Sequence, residues 1–247
     1  MSINIRIATL QIKKRLIKKA RKILFGKPRN FTREYLATVG EVELVVHVGA
    51  HLGQEVGAYR ALGARRIIWI EGDPETHARL VKRLEAAERE AHTPIDHVVL
   101  RALVSDTNEE TRTFHRYNND GASSSVHAPT PRQQKEWPGL SMTGSSIELP
   151  TRSLESILDE VGVEVPSNGK SLLVLDVQGH EAAVLAGIGR YARTFDLCQC
   201  EISQEAIYDG GALYPELKII FEGMGYVLKS HSEGNLPWHG DVIFERC

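Results

Sequence analysis

Val46-His47-Val48-Gly49-Ala50-His51-Leu52-Gly53-Gln54, followed after a short helical segment by Arg66-Ile67-Ile68-Trp69-Ile70-Glu71, is the stretch that decides the fold. An apolar run beginning at Val42 breaks into a glycine turn, and a second apolar run ends on a carboxylate. A buried strand, a glycine turn, a helix and a second buried strand closed by an acid is the way an α/β sheet builds a nucleoside pocket.

Gly49 and Gly53 let the backbone bend sharply and come close to a ligand, while the helix after the turn offers free N–H groups. Glu71, about twenty residues on, is placed to accept hydrogen bonds from both ribose hydroxyls. A dinucleotide fingerprint requires glycine at the positions of Gly49, His51 and Gln54, and two of those three are absent. A pyrophosphate therefore has nowhere to lie, which favours a nucleoside cofactor without phosphates, such as S-adenosylmethionine. A glycine turn that merely joins strand to helix is the plainer alternative.

The 247 residues, 42% hydrophobic and 25% charged, suffice for one enzyme-sized α/β domain. Cys198, Cys200 and Cys247 form neither a disulfide framework nor a metal-finger spacing, so a reducing cytoplasm is the default location. No apolar run reaches the roughly eighteen residues of a membrane span. The net charge of -2 hides an asymmetry: residues 1–33 hold eleven Lys and Arg and no acid, leaving nineteen cations against 32 acids in the remainder. Leu10, Leu16, Ile17, Ala20, Ile23, Leu24 and Phe25 recur among those charges at helical spacing up to Gly26 and Pro28, which predicts a basic amphipathic helix over residues 1–33 and a catalytic domain over 34–247. Such a helix suits peripheral contact with an anionic membrane or an acidic partner, and equally suits packing on its own domain. The acidic remainder is a poor partner for nucleic acid.

Beyond Glu71 the pattern predicts a helix from Pro74, a third strand over 95–104, an extra strand over 111–117 and a long irregular excursion over 126–146. Ser153 caps a helix from Leu154 to Val161, and Ser171 to Leu175 is the strongest central strand. A helix from His180 to about Arg193, a strand over 196–203, a helix over 215–224 and a closing pair over 226–230 and 241–246 complete a mostly parallel sheet with an antiparallel last strand.

Ligands bind at the carboxyl ends of strands in such a sheet, and the polar residues gather there. Methyl transfer from a sulfonium to oxygen is an in-line displacement that also needs a proton acceptor. Asp176, His180 and Glu201 are the candidates for that role or for orienting the substrate. His47, Gly49, Ala50, His51, Gly53, Gln54, Glu71, Ser105 and Asp176 are assigned to the cofactor, with His47 and His51 hydrogen-bonding its methionine tail and Ser105 meeting the adenine edge. A histidine at 47 predicts cofactor affinity that varies near neutral pH. Asn119, Ser123, Ser124, Gln178 and His239 are assigned to the acceptor. For Asp176 and His180 helix capping is the structural alternative. Asp176, Glu201, His180, His239 and Asp241 could converge on a divalent cation, but spacing does not demonstrate it, and no metal ligand is assigned. Low aromatic content, 6%, points to a polar acceptor rather than a stacked planar ring.

Taken together, the chain resembles the FkbM family of S-adenosylmethionine-dependent methyltransferases. The resemblance runs from about residue 42 to the end. It is carried by Val46 to Gln54, Trp69-Ile70-Glu71, Gly121-Ala122-Ser123-Ser124-Ser125, Leu175-Asp176-Val177-Gln178-Gly179-His180-Glu181 with Val184 to Gly187, Glu201-Ile202-Ser203 and Trp238-His239-Gly240-Asp241. It implies a seven-stranded Rossmann-like fold of the class I methyltransferases, S-adenosyl-L-methionine as donor with S-adenosyl-L-homocysteine as product, and O-methylation of a sugar, glycan or secondary metabolite. By motif it places Gly49, Ala50, Gly53 and Glu71 at the cofactor and Asp176 beside the methyl group. A nitrogen or aromatic-hydroxyl acceptor, or a binding module without catalysis, are the competing readings.

Overall fold

The computed structural model describes residues 31–236 and 238–247. The basic segment read as an amphipathic helix lies almost wholly outside the described residues. Within them, Phe31–Leu36 forms a first helix, α1.

Strand β1 (Val42–Val48) is flanked on one side by β2 (Arg66–Glu71) and β3 (Asp96–Arg101), and on the other by β7 (Lys170–Leu175) and β8 (Leu197–Ser203), all parallel. The final strand β10 (His239–Arg246) inserts antiparallel between β8 and β9 (Tyr226–Leu236), giving the order β3-β2-β1-β7-β8-β10-β9. This is the seven-stranded, mostly parallel Rossmann-like sheet with an antiparallel last strand that the sequence predicts. The chain leaves β1 for β2 on one side and β7 lies on the other, so a crevice opens between the ends of β1 and β7, where such sheets bind ligands.

Both faces of the central strands are apolar because both are covered. Val46, Val48, Ile68, Ile70, Leu173 and Leu175 face one layer, which includes α5 (Leu154–Glu160), α6 (Glu181–Ala186) and α7 (Tyr214–Gly223). Val45, Ile67, Trp69, Leu172 and Val174 face the other, with α2 (Val56–Ala61) and α3 (Pro74–Arg89). Asp73 caps α3 by accepting from Glu75 and Thr76 N–H groups ahead of Pro74. Ser153 caps α5 through the Ser156 N–H, as its position before Leu154 predicts. No helix among the described residues is long and apolar enough to cross a membrane.

Several boundaries differ from the sequence reading. The third strand is two: after β3 the chain hands over at Ala102 to β4 (Leu103–Ser105), which pairs with β6 (Met142–Ser153) in a second sheet whose other member is β5 (Thr111–Tyr117). The expected irregular excursion over 126–146 instead contains α4 (Pro131–Glu136), capped by Thr130, and the start of β6. The helix expected through Arg193 stops at Ala186. A side chain at Gly187 would collide with the Ser105 carbonyl, so the helix ends where it meets β4, and a 3-10 turn over Gly189–Arg193 follows.

Candidate active site

The glycine turn is built as its residues demand. Gly49 has φ +80°, and a Cβ there would overlap the Asp176 carbonyl on the neighbouring strand end. Gly53 has φ +62° and packs on Leu80 of α3. The turn presents the His51 N–H to Glu71 Oε2 and the next crossover presents the Asp73 N–H to Oε1, both at 2.8 Å. Burial pushes the Glu71 carboxyl up to about 7. The Gly72 N–H is a third backbone donor to it, and since an ionised carboxylate has about four acceptor positions, one remains for a ligand.

A cavity of about 130 Å³ lies here, bounded by His47, Gly49, Ala50, His51, Gln54, Glu71 and Asp176 and roofed by Gly121 and Ala122. Beside it an apolar crease is walled by Ile70, Leu103, Phe114 and Val177, with Glu71 at one edge and His180 at another. His51 ties the roof down. Its Nδ1 accepts from Gln54 Nε2 at 2.7 Å, which leaves Nε2–H to donate to the Asp120 carbonyl at 3.0 Å. His47 is buried against Tyr59 and Trp69, its Nδ1 3.0 Å from the Tyr59 hydroxyl, and burial pushes its imidazole down to about 3. It is neutral throughout the physiological range, which corrects the expectation that His47 makes affinity vary near pH 7. Ser105 is fully buried and donates to Asp106 at 2.8 Å, so it lines neither space.

Asp176 and Glu201, on the adjacent ends of β7 and β8, stand within hydrogen-bond reach of each other. Gln178 Nε2 donates to Asp176 Oδ1 and to Glu201 Oε2, each at 2.6 Å. Its Oε1 accepts from the Tyr208 hydroxyl at 2.7 Å, and the same hydroxyl approaches the Ser123 carbonyl at 3.0 Å. Gln178 sits at φ +56°, a left-handed conformation that costs a non-glycine residue about 1–2 kcal/mol. Burial and the facing Glu201 hold the Asp176 carboxyl well above its ordinary range. Burial, with Asp241 directly across the ladder and Glu181, raises Glu201 to about 8. At neutral pH the pair therefore retains a proton. His239 Nε2 lies 3.4 Å from Glu201 Oε1. His180 stands apart from this cluster: Nε2 meets Ser105 Oγ at 3.0 Å and Nδ1 meets His127 Nε2 at 3.2 Å, and burial pushes it down to about 4.

Glu201 and Gln178 face a second cleft of about 670 Å³, whose other walls include Asn119, Ser123, Trp137, Tyr208 and His239. Trp137 and Trp238 meet edge to face at 6.2 Å, and the Arg132 guanidinium lies over Trp238 while ion-paired with Glu205. Asn119 donates to Ser123 Oγ at 2.8 Å. Ser124 accepts from the Tyr117 N–H and does not line the cleft. Asp176 and Glu201 also border a third cavity of about 760 Å³ beneath α1 and α2. Among the described residues no group of three His, Cys, Asp or Glu side chains is disposed to hold a metal ion.

Sequence reasoning missed Trp137 and Tyr208. Trp137 fell inside the segment read as irregular. Tyr208 follows β8 in a loop with no spacing signal, although Gly211 after it marks a tight approach to Gly179. Trp137 stands at this cleft with Trp238 packed against it, so one of the few aromatic platforms of the chain lies there.

A family model described as the methyltransferase FkbM domain matches residues 47–228. The solved structures similar to this chain include an FkbM methyltransferase from Methylobacillus flagellatus KT, at 15% identity and TM-score 0.48. That alignment covers 86% of this chain and 50% of the other, so the chain spans half the length of that relative. A magnesium protoporphyrin IX methyltransferase from Synechocystis, solved with bound S-adenosylmethionine, is 8% identical at TM-score 0.47, with coverage of 87% and 76%. Fibrillarin from Aeropyrum pernix is 15% identical at TM-score 0.42, with coverage of 83% and 67%. A search of curated proteins gives no match.

Proposed function

We propose, from the premise that this chain belongs to the FkbM methyltransferase domain family, that it methylates a hydroxyl of a sugar, glycan or secondary metabolite, with S-adenosyl-L-methionine as donor. The observation that carries this reading is the meeting of two spaces at one carboxyl pair. Asp176 borders the cavity of the glycine turn, and Glu201 borders the aromatic cleft.

The residues of the first space fit the donor. The Gly49 turn lets the ends of β1 and β7 approach closely at the cavity's edge, Glu71 keeps an acceptor position for a ribose hydroxyl, and the crease of Ile70, Leu103, Phe114 and Val177 offers apolar walls to an adenine. When bound, S-adenosylmethionine supplies an electrophilic methyl carbon on a positively charged sulfur. Asp176 keeps the pair's proton and hydrogen-bonds Glu201, which leaves Glu201 as the carboxylate that receives the acceptor hydroxyl's proton. Keeping the two functions on neighbouring strand ends fixes their relative placement through the backbone ladder.

Supporting a carbohydrate-like acceptor, the second cleft combines Trp137 and Tyr208 with the carboxamide of Asn119 and with Glu201. Its described lining includes no Lys or Arg. Aromatic faces suit the apolar side of a sugar ring, carboxamides and carboxylates suit its hydroxyls, and the lack of cations disfavours phosphate or carboxylate groups. Trp137, backed by Trp238, also favours a second reading, a planar phenolic acceptor.

The test is transfer of labelled methyl from S-adenosylmethionine to a panel of neutral glycosides, sugar phosphates and phenols. Neutral glycosides should be methylated, Asp176→Ala should abolish turnover while still binding S-adenosylhomocysteine, and Trp137→Ala should raise KM about tenfold or more with a smaller change in kcat. Calorimetry that registers no saturation with S-adenosylmethionine or S-adenosylhomocysteine would remove the proposal.

A further inference from the structure

Gln178 occupies the point where the two spaces meet, in a backbone conformation that favours glycine. An amide nitrogen has two hydrogens, and here both are taken, one by Asp176 and one by Glu201. The two carboxyl groups fix the sense of the amide, and the Tyr208 hydroxyl lies against its oxygen. Turned over, its oxygen would face the carboxyl pair and both of its N–H donors to that pair would be lost. Gln178 thus has no donor left for an acceptor molecule, which sets it apart from the substrate contact that its place in the sequence suggests.

We propose that Gln178 is a positioning residue for methyl transfer: its amide bridges Asp176 and Glu201 so that Glu201 stays oriented toward the aromatic cleft as proton acceptor, and Tyr208 lies against the amide oxygen. This rests on the methyl-transfer reading above. Donors aimed at a carboxylate favour its ionised form, so removing the amide makes the pair harder to deprotonate. The other groups facing the pair are Glu181 from α6, Cys200 from β8, Asp241 and His239 from β10, and Tyr208 from the loop after β8. A substitution at 178 leaves each of them in place, with Tyr208 losing its contact with the amide oxygen. Because the Tyr208 hydroxyl also reaches the Ser123 carbonyl, the bridge is joined to the 118–125 loop that roofs the glycine-turn cavity.

Gln178→Gly removes the amide while suiting the left-handed backbone, so the turn is kept. The acid limb of its kcat profile should move up by about one pH unit, an approximately tenfold loss below the limb, with KM for the acceptor and affinity for S-adenosylhomocysteine unchanged. Tyr208→Phe should shift the limb less, in the same direction. Carbon-13 carboxyl NMR without acceptor should show the Asp176–Glu201 pair titrating at higher pH in Gln178→Gly than in wild type. A raised KM with an unmoved acid limb, or carboxyl titrations that superimpose, would overturn the assignment. Should no acceptor be methylated at all, the methyl-transfer reading fails on its own, and the carboxyl titration still decides whether the amide controls the pair.

Discussion

Lowering the pH from 8 to 6 should weaken cofactor binding about tenfold through Glu71. Its carboxyl is held at about 7 by burial, so the ionised fraction falls from about nine-tenths to about one-tenth over that interval, equivalent to ~1.4 kcal/mol of binding free energy. The ionised form is the one that fits the site. Both oxygens already accept backbone N–H groups, from His51 and Asp73, and a protonated oxygen would turn a donor toward donors. The sign distinguishes this effect from unfolding. A carboxyl whose folded value is raised contributes stability that is fully present below its unfolded value of about 4.5 and is lost as pH rises through about 7. The fold is thus favoured by acid while ligand binding is disfavoured. His47 does not contribute, since burial keeps it neutral across the interval. Isothermal titration of S-adenosylhomocysteine at pH 6, 7 and 8 measures the effect, with Glu71→Gln as control. A flat wild-type profile, or a slope that survives in Glu71→Gln, refutes the reasoning.

Gly49→Ala should destabilise the fold by about 3 kcal/mol or more and abolish cofactor binding, because the new methyl would overlap the Asp176 carbonyl and lie 2.7 Å from its carbon at a backbone φ of +80°. Urea denaturation followed by circular dichroism gives the first number, and a midpoint equal to wild type would contradict the close β1–β7 approach. Iodoacetamide should modify the native protein only at Cys247 within the described residues, since Cys198 and Cys200 are buried on β8 with thiols pushed up in pKa by burial. Peptide mapping that finds either strand cysteine alkylated before denaturation would show that β8 opens.

The fold was legible because its signals are local. Apolar runs of the right length, Gly49 and Gly53 at a strand end, Pro74 after Asp73 and Ser153 before Leu154 each act within a few residues of themselves. What escaped depended on partners far along the chain. The division of the third strand at Ala102 follows from where β6, some forty residues later, can pair with β4, and the stop at Ala186 follows from the closeness of Gly187 to Ser105. Neither contact leaves a mark on the periodicity of its own segment.

The site divides in the same way. Glu71 and the glycine turn are coupled through one crossover, and their spacing alone brings them together. Asp176, Gln178 and Glu201 could each be placed at the sheet rim, yet their arrangement depends on which side chain turns inward. Gln178, two residues after a β-strand carboxylate, takes a left-handed conformation that no general preference of glutamine predicts. That single backbone angle directs its amide between the carboxyl groups, where a sequence reading places it on the substrate. His180, only two residues further, is carried by the same turn to the opposite side and meets Ser105. The residue types at a strand end therefore identify the chemistry available there, while the turn that follows decides which of them share a hydrogen bond. At this site the turn is set by Gly179, whose φ of +97° and close contact with Tyr208 put any side chain there under strain.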